Sequence, residues 1–208
     1  RVDPFRVSLW TADDDEKGRY EAVLQQDVYW AGGEAKVLVG QPGILEQRNH
    51  IVRELPEGAY VVSLDDDVSE VLWKSSAEWA LTPVPPGGLE RIIFHAHGLL
   101  KNYGAWIWGL WTSKNPMSLW MDGVSTRNGE INGFLYGLIN RHDEDLLPQV
   151  ASATEDAERS LRYFAKDKRV LRYRMYSAET KCFKFGGGLQ DLFEGDGLAE
   201  KNIARKRA

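Results

Sequence analysis

The sequence predicts a single mixed α/β domain with a parallel N-terminal half and a more irregular C-terminal half. The first third alternates short apolar runs with segments of helical composition, an order typical of a parallel sheet. The chain has 208 residues, of which 43% are hydrophobic, and this is enough for one sizeable core. No internal repeat or linker divides it, so we expect one domain over residues 1–208.

Each element of the first third is predicted from its own residues. The segment ILEQRNHIVREL (44–55) repeats apolar side chains at Ile44, Ile51, Val52 and Leu55, which is helical spacing. A second helix is predicted at EKGRYEAVLQQ (16–26). Strands are predicted at FRVSLW (5–10), KVLVG (36–40) and YVVSL (60–64).

The remainder of the chain has more varied patterns. Ser152 and Glu155 have the spacing of a capping box, which predicts a helix over 152–165. Strands are predicted at RIIFHAH (91–97), GAWIWGLW (104–111) and RVLRYRMY (169–176). Loops or turns are predicted at 82–88, 121–130 and FGGGLQ (185–190), followed by a basic tail. We therefore divide the domain into a ligand-binding half (1–81), a second half (82–190) and the tail (191–208).

Composition excludes several classes of protein. The net charge of −5 is unlike that of a basic nucleic-acid coat protein. With Cys182 as the single cysteine, no intramolecular disulfide is possible, which fits a reducing compartment such as the cytoplasm. The sequence has no signal-like start and no apolar run long enough to span a membrane, so we expect no membrane association.

Three consecutive aspartates, Asp65 to Asp67, end the third predicted strand. Ligands of parallel sheets bind at the carboxyl ends of the strands. On an extended segment Asp65 and Asp67 share one side, with Asp66 facing away. Because Mg²⁺ and Mn²⁺ prefer oxygen ligands, the triplet predicts a site for a metal-bound nucleotide. The alternative is a solvated acidic loop. Thr11 and Asp13 follow the first strand in the same way.

Three further segments support a ligand site, and each has a structural alternative. Arg48, followed by Asn49, lies on the helix predicted before the triplet. An arginine there can reach a diphosphate; the alternative is an ordinary surface arginine. Glu155 and Asp156 occupy the first turn of a helix, where an ionised carboxylate can act as a general base or merely complement the helix dipole. In NYGAWIWGLW, glycines bracket large aromatics that either approach a ligand or belong to the core.

The ordered set of motifs resembles a known family. RNHIVRELPEGAYVVSLDDDV is similar to the nucleotide-sugar core of GT-A glycosyltransferases, in which a helix with Arg-Asn precedes a strand ending in Asp-x-Asp. GAWIWGLWTSKNP, then ATEDAERSLRYFAKDKRVLRYRMYSAET, then FGGGLQ resemble the TET-associated glycosyltransferases, the phage and eukaryotic group that includes the base J glucosyltransferase. The likeness runs from about Phe5 to Gln190.

The resemblance implies a role for each matching residue. Asp67 would ligate Mn²⁺ or Mg²⁺, and Asp65 would assist the metal or hold the ribose, with Asp66 beside them at the nucleotide. Asp156 would activate the acceptor hydroxyl, with Glu155 next to it. The nucleotide would also be contacted by Thr11, Asp13, Arg48 and Asn49, and the acceptor side would be walled by Gly104, Ala105, Trp106 and Trp108.

The implied reaction transfers a sugar, typically glucose from UDP-glucose, to a hydroxymethyl group on a modified DNA base such as 5-hydroxymethylcytosine. An inverting single displacement is expected, in a phage-infected cytoplasm. Two features depart from this pattern: no histidine follows His142 to complete a metal shell, and the net charge is negative for an enzyme that contacts DNA phosphates. A basic stretch offsets the charge locally, through Arg159, Arg162, Lys166, Lys168, Arg169, Arg172 and Arg174.

Two rival functions remain open from the sequence. A haloacid-dehalogenase-like phosphatase would use Asp65 as nucleophile and Asp67 as acid and base, and would need a second acidic pair, for which Asp143 to Asp145 is the available candidate. A non-catalytic module with a GT-A-like fold is the other rival. His95 and His97 would share a face of the strand predicted at 91–97, but no third nitrogen or sulfur ligand accompanies them.

Overall fold

A computed structural model describes residues 6–27, 36–75, 80–150 and 154–181 of the chain. These residues form a mixed α/β structure with a mixed five-stranded sheet and four α-helices. The chain divides into two compact units, Arg1–Leu55 and Pro56–Ala208. Cys182, the predicted turn at 185–190 and the basic tail lie outside the described residues. Within the described ranges, the helices are all too short or too polar to cross a membrane.

The first unit confirms the predicted order of strand, helix, strand and helix. Its elements are β1 (Ser8–Thr11), α1 (Asp14–Gln26), β2 (Lys36–Val39) and α2 (Ile44–Glu54). The two strands pair in parallel, with Leu9 opposite Val37. Helix α1 begins where the Asp13 side chain accepts a hydrogen bond of 2.7 Å from the backbone N–H of Glu16, the usual role of an N-cap aspartate.

The second unit contains the remaining elements. Its helices are α3 (Gly88–Tyr103) and α4 (Glu155–Asp167), with a short 3-10 helix at Glu144–Leu146. Its strands are β3 (Tyr60–Leu64), β4 (Val68–Trp73), β5 (Thr82–Pro83), β6 (Ile107–Gly109), β7 (Val124–Ser125), β8 (Leu135–Ile139), β9 (Leu171–Tyr173) and β10 (Tyr176–Thr180). The sequence therefore predicted β3 correctly, whereas the strand predicted at 169–176 is divided between β9 and β10.

The five-stranded sheet has the order β3–β8–β6–β9–β7. Strand β8 is antiparallel to both β3 and β6, and β6 is parallel to β9. Strands β3, β6 and β9 therefore run in the same direction, and their carboxyl ends lie at the same end of the sheet. The prediction that β3 extends the parallel pairing of the first two strands is wrong, because its partner is β8, with Leu64 opposite Leu135.

The strand predicted at 91–97 is also wrong, because these residues lie inside helix α3. Ile92, Ala96 and Leu100 are buried and follow each other at four-residue intervals, so they form one apolar stripe along the helix. The helix ends at Gly104, whose φ of 62° is the left-handed conformation that glycine tolerates.

Two apolar clusters form the core of the second unit, and the pleat of the sheet separates them. Trp108 and Leu135 belong to one cluster, with the buried stripe of α3 and with residues of β4 and β10. Ile107 and Tyr136 belong to the other, with Tyr163 of α4. Because neighbouring strand residues point to opposite faces, α3 covers one face of the five-stranded sheet and α4 covers the other.

Helix α4 begins later than the capping-box spacing predicted. Its N-cap is Thr154, which makes no side-chain capping hydrogen bond, and Ser152 lies outside the described residues. The first turn contains Glu155, Asp156 and Glu158, so negative charge stabilises this end through the helix dipole instead.

Candidate functional site

The aspartate triplet follows β3 at the carboxyl end shared with β6 and β9. It forms a tight turn into β4, since the Val68 N–H donates to the Asp65 carbonyl at 3.3 Å. Two further backbone bonds hold the turn: the Asp65 N–H donates to the Phe134 carbonyl at 3.0 Å, and the Lys181 N–H donates to the Asp67 carbonyl at 2.9 Å. Asp65 and Asp67 are half-buried and Asp66 is exposed, the burial order expected for the triplet.

The electrostatics of the triplet suit a bound cation. Burial, followed by the charges of Asp65 and Asp66, raises the pKa of Asp67 above its ordinary value. A cation at this turn would relieve that repulsion. However, the described residues contain no group of three or more His, Cys, Asp or Glu side chains arranged to hold a metal. A metal ion here would therefore take most of its ligands from a bound diphosphate and from water.

Asp156 lies at the same end of the sheet and is joined to the triplet through two adjacent residues. Its carboxylate accepts hydrogen bonds from the Gly133 N–H at 3.2 Å and from the Ala157 N–H at 2.8 Å. Gly133 precedes Phe134, whose carbonyl accepts from Asp65. The structure thus brings the predicted base and the predicted metal-binding turn together, although they are far apart in the sequence.

The segment 130–134, which belongs to none of the predicted site motifs, makes this connection. Helix α4 holds it, because the Ile131 N–H donates to the Ser160 hydroxyl at 2.8 Å. Burial and the charge of Asp156 raise the pKa of Glu130, while Arg172 opposes the shift. The available signal was the Asn132–Gly133 pair directly before the apolar run FLYGLI, which indicates a turn entering a buried strand.

Glu155 and Asp156 are adjacent in sequence, but the structure gives them different surroundings. The Glu155 carboxylate is 2.7 Å from Nη1 of Arg159, and the two side chains are only 3% and 5% exposed. The Arg159 guanidinium also lies 3.8 Å from the ring centroid of Tyr136. Glu155 therefore belongs to a buried ion pair of the core, while half-buried Asp156 faces segment 130–134.

The predicted acceptor wall, Gly104 to Trp108, is not brought to the triplet as a unit: Trp106 lies at the far end of β8, whereas Trp108 pairs with Gly137 in the middle of that strand. The Trp106 carbonyl accepts a hydrogen bond from the backbone N–H of Ile139, the last residue of β8. The triplet instead adjoins the first residue of that strand, Leu135. Four residues of strand, about 13 Å, separate these two ends. Ala105 and Trp108 are buried in the core, and the Arg141 guanidinium lies 4.4 Å from the ring centroid of Trp106. This matches the core alternative that the sequence offered for the tryptophans.

The predicted nucleotide contacts Thr11, Asp13, Arg48 and Asn49 all belong to the first unit. Thr11 is buried, and its hydroxyl donates to the Leu38 carbonyl at 3.2 Å. The Asp13 carboxylate caps α1. Arg48 is buried on α2, with Asn49 following it. Their roles toward a nucleotide remain predictions.

Most of the predicted basic stretch is occupied by interactions within the protein. Arg162 pairs with Glu158 at 2.7 Å, and Lys166 pairs with Asp143. Asp143 also caps the short 3-10 helix, so the acidic pair needed by a phosphatase serves structural contacts here. Arg172 and Arg174 differ from these residues, because their guanidinium groups lie over the rings of Trp111 and Trp120.

His95 and His97 lie on helix α3 rather than on a strand, so they do not share a face as predicted. The His95 ring nitrogen Nδ1 is 2.8 Å from the Tyr173 hydroxyl. His97 packs against Tyr60 with 4.4 Å between ring centroids, and burial lowers its pKa. Neither histidine belongs to a metal-holding group among the described residues.

Comparison with known proteins gives no relative: no family model, no curated protein and no solved structure matches the chain. The resemblance to the TET-associated glycosyltransferases consequently rests on the sequence motifs alone. The geometry of the second unit is an independent observation about where a ligand can bind.

Proposed function

We propose that the chain is a metal-dependent glycosyltransferase of the GT-A type that uses a UDP-sugar, with glucose as the expected sugar. The proposed acceptor is the hydroxymethyl group of a modified DNA base such as 5-hydroxymethylcytosine. The observation that carries the proposal is the connection between Asp156 and the aspartate triplet at the carboxyl ends of β3, β6 and β9. This end of a sheet is where α/β proteins bind their ligands.

In this proposal the triplet holds the diphosphate through a divalent cation. A bound Mn²⁺ or Mg²⁺ would offset the negative charge that develops on the departing diphosphate. Asp67 and Asp65, the two half-buried members, are the proposed ligands, and Asp66 stays toward solvent. The raised pKa of Asp67 supports this assignment, because it results from burial first and from the like charges of Asp65 and Asp66 second, and a bound cation would offset both.

Asp156 is the proposed general base. It would accept the proton of the acceptor hydroxyl while that oxygen bonds to the anomeric carbon of the sugar and the bond from that carbon to the diphosphate breaks. One such displacement inverts the anomeric configuration. The backbone N–H groups of Gly133 and Ala157 orient the carboxylate, and each of its oxygens retains accepting capacity for the substrate hydroxyl.

Calorimetric titration of UDP into the protein, first with Mn²⁺ and then with EDTA, tests the donor site. We expect binding that requires the metal and that Asp67→Ala abolishes, since a metal with few protein ligands cannot lose one of them without losing most of its affinity. Asp66→Ala is the matched control: it removes an exposed neighbour of the same charge and should retain UDP binding.

Transfer is then measured as the mass gained by a hydroxymethylated oligonucleotide incubated with UDP-glucose. Asp156→Asn should retain metal-dependent UDP binding and lose transfer, because the amide keeps the shape of the side chain without its basicity. If the wild-type protein binds UDP neither with Mn²⁺ nor with EDTA, the transferase proposal is wrong. The phosphatase and the non-catalytic module would then be the remaining candidate functions.

A further inference from the structure

Two arginine–tryptophan pairs lie at the carboxyl ends of β6 and β9, with Arg172 inside β9, Arg174 directly after it and Trp111 two residues after β6. The Arg172 guanidinium carbon is 4.9 Å from the ring centroid of Trp111, and that of Arg174 is 3.1 Å from the ring centroid of Trp120. Together with two exposed methionines they form what we call the Trp–Arg surface, which consists of Trp111, Met117, Trp120, Met121, Arg172 and Arg174.

The two positive charges of this surface are incompletely compensated. Among the described residues, neither guanidinium lies in a salt bridge with a carboxylate, although the charge of Glu130 acts on Arg172. The Nε atoms of Arg172 and Arg174 are buried and make no hydrogen bond to a described residue. Arg172 has one carbonyl partner, Asn128, at 3.4 Å. The buried Nε atoms are out of reach of a ligand, but a guanidinium can bind the oxygen atoms of an anionic ligand through its terminal Nη atoms.

The apolar part of the surface is unusually accessible. Trp120 is 54% exposed although Arg174 covers one side of its ring, so its remaining area is open to a second stacking partner. Met117 and Met121 are 68% and 53% exposed. Both methionines are within three residues of Trp120 in the sequence; exposed large apolar side chains generally mark a binding surface, and methionine adapts readily to different partners.

The surface is held in place by contacts made below it. The Lys74 ammonium donates to the carbonyls of Pro116 and Leu119, at 2.8 and 3.1 Å. The backbone N–H of Trp120 donates to the backbone carbonyl of Arg174 at 2.8 Å, which holds the tryptophan beside its arginine. A surface that is already ordered loses little conformational freedom on binding.

We infer that the Trp–Arg surface binds an unpaired nucleotide of a nucleic-acid strand. Trp120 stacks on the base, and Arg172 and Arg174 contact the flanking phosphates. Aromatic rings accept any base by stacking, and adjacent arginines follow a phosphate backbone. A neutral sugar would also stack on tryptophan but would offer no anionic oxygen to either guanidinium. This combination therefore favours a nucleic acid over a neutral carbohydrate.

The inference extends the proposed function without depending on it. The surface lies at the same end of the sheet as Asp156, and Glu130 interacts electrostatically with both Asp156 and Arg172. If the chain is a transferase, the surface presents an unpaired acceptor base to Asp156. Binding of a strand to this surface requires no sugar nucleotide, no metal and no transfer, so it can be measured separately.

The test is fluorescence anisotropy of a labelled single strand of about 12 nucleotides, titrated with the protein in EDTA over a range of salt concentrations. We expect Trp120→Ala to weaken binding about tenfold at every salt concentration, because it removes stacking and no charge. Arg174→Gln should weaken binding and also make the dependence of log K on log salt shallower by about 0.7, the value for one lost phosphate contact to a single strand.

Two controls on α3 remove the same kinds of side chain outside the surface. Phe94→Ala deletes an aromatic side chain that is 59% exposed, and Arg91→Gln deletes an exposed arginine. Both should bind the strand as the wild type does. Thermal unfolding of all four variants verifies that they are folded, and the exposure of Trp120 predicts that its replacement is tolerated.

Three results would overturn the inference. They are unchanged binding by both surface variants, equal competition by inorganic polyphosphate or polyglutamate, and tighter binding of a duplex than of the single strand. Since sugar nucleotide and metal are absent from the assay, a protein that binds the strand but never transfers a sugar would support the inference and count only against the proposed function.

Discussion

At the scale of single residues, Asp67 connects stability with ligand binding. Its pKa is raised above the ordinary value of 3.8 by burial and by its two aspartate neighbours. Ionisation of this carboxyl therefore favours the unfolded chain. The resulting loss of stability is complete above the folded-state pKa and disappears as the pH falls toward 3.8. A residue that weakens the fold in this way is typical of a functional site.

Asp67→Asn should consequently stabilise the protein at neutral pH. We expect the unfolding midpoint to rise by about 1–2 °C, a small value because solvent screens this partly exposed group. The gain over wild type should shrink as the pH is lowered through the folded-state pKa of Asp67. Circular dichroism melts at several pH values measure both effects. Asp66→Asn removes one of the charges that raise the pKa of Asp67, so it should raise the midpoint in the same direction but by less. A midpoint lower than that of the wild type would show that the ionised Asp67 carboxylate stabilises the fold, contrary to this expectation.

The same scale explains why the sequence predicted only part of the site. The triplet is recognisable because it directly follows a clear strand signal. Asp156 is recognisable because it lies in the first turn of a clearly helical segment. Glu155 could not be separated from Asp156 by sequence, because successive positions of a helix differ by about 100° in direction. That rotation sends Glu155 into the core against Arg159 and leaves Asp156 at Gly133.

At the scale of elements, local patterns were predicted and long-range pairings were not. Strand β3 and helix α2 have unambiguous composition and were recognised. A window of seven residues around Ile92 resembles a strand, and only the spacing of Ile92, Ala96 and Leu100 over a longer window reveals the helix. The pairing of β3 with β8 depends on a strand far along the chain, which the composition of β3 does not indicate.

The loop that carries Trp120 gives a prediction at this scale. Lys74→Met removes two charge-assisted hydrogen bonds to the carbonyls of Pro116 and Leu119, so the loop should open more often. We expect the Trp120 amide to exchange with solvent about tenfold faster or more, as measured by hydrogen–deuterium exchange. Affinity for a single strand should fall as well, although no residue of the Trp–Arg surface is changed.

Lys114→Met is the matched control, because Lys114 precedes the same loop residues and pairs with Glu179 at 2.8 Å on the surface. Exposed ion pairs contribute little to stability, so replacing Lys114 should leave the hydrogen–deuterium exchange rate of the Trp120 amide unchanged. Equal exchange in Lys74→Met and wild type would show that the loop is held by its backbone contacts alone, and the expected ordering role of Lys74 would be abandoned.

At the scale of the whole molecule, the two compact units differ in how much core they contain. Only three described residues of the first unit, Thr11, Val37 and Arg48, are buried. Both apolar clusters lie in the second unit. A unit of 55 residues with so few buried side chains is expected to be marginally stable alone, whereas the second unit has the apolar interior of an independent domain.

We therefore expect the fragment 56–208 to fold by itself and the fragment 1–55 to remain largely unfolded. Urea titration followed by circular dichroism should give a cooperative transition for the larger fragment only. That fragment retains the triplet, Asp156 and the Trp–Arg surface, so it should bind a single strand as the full chain does. Failure of the larger fragment to unfold cooperatively would contradict its description as an independently folding unit.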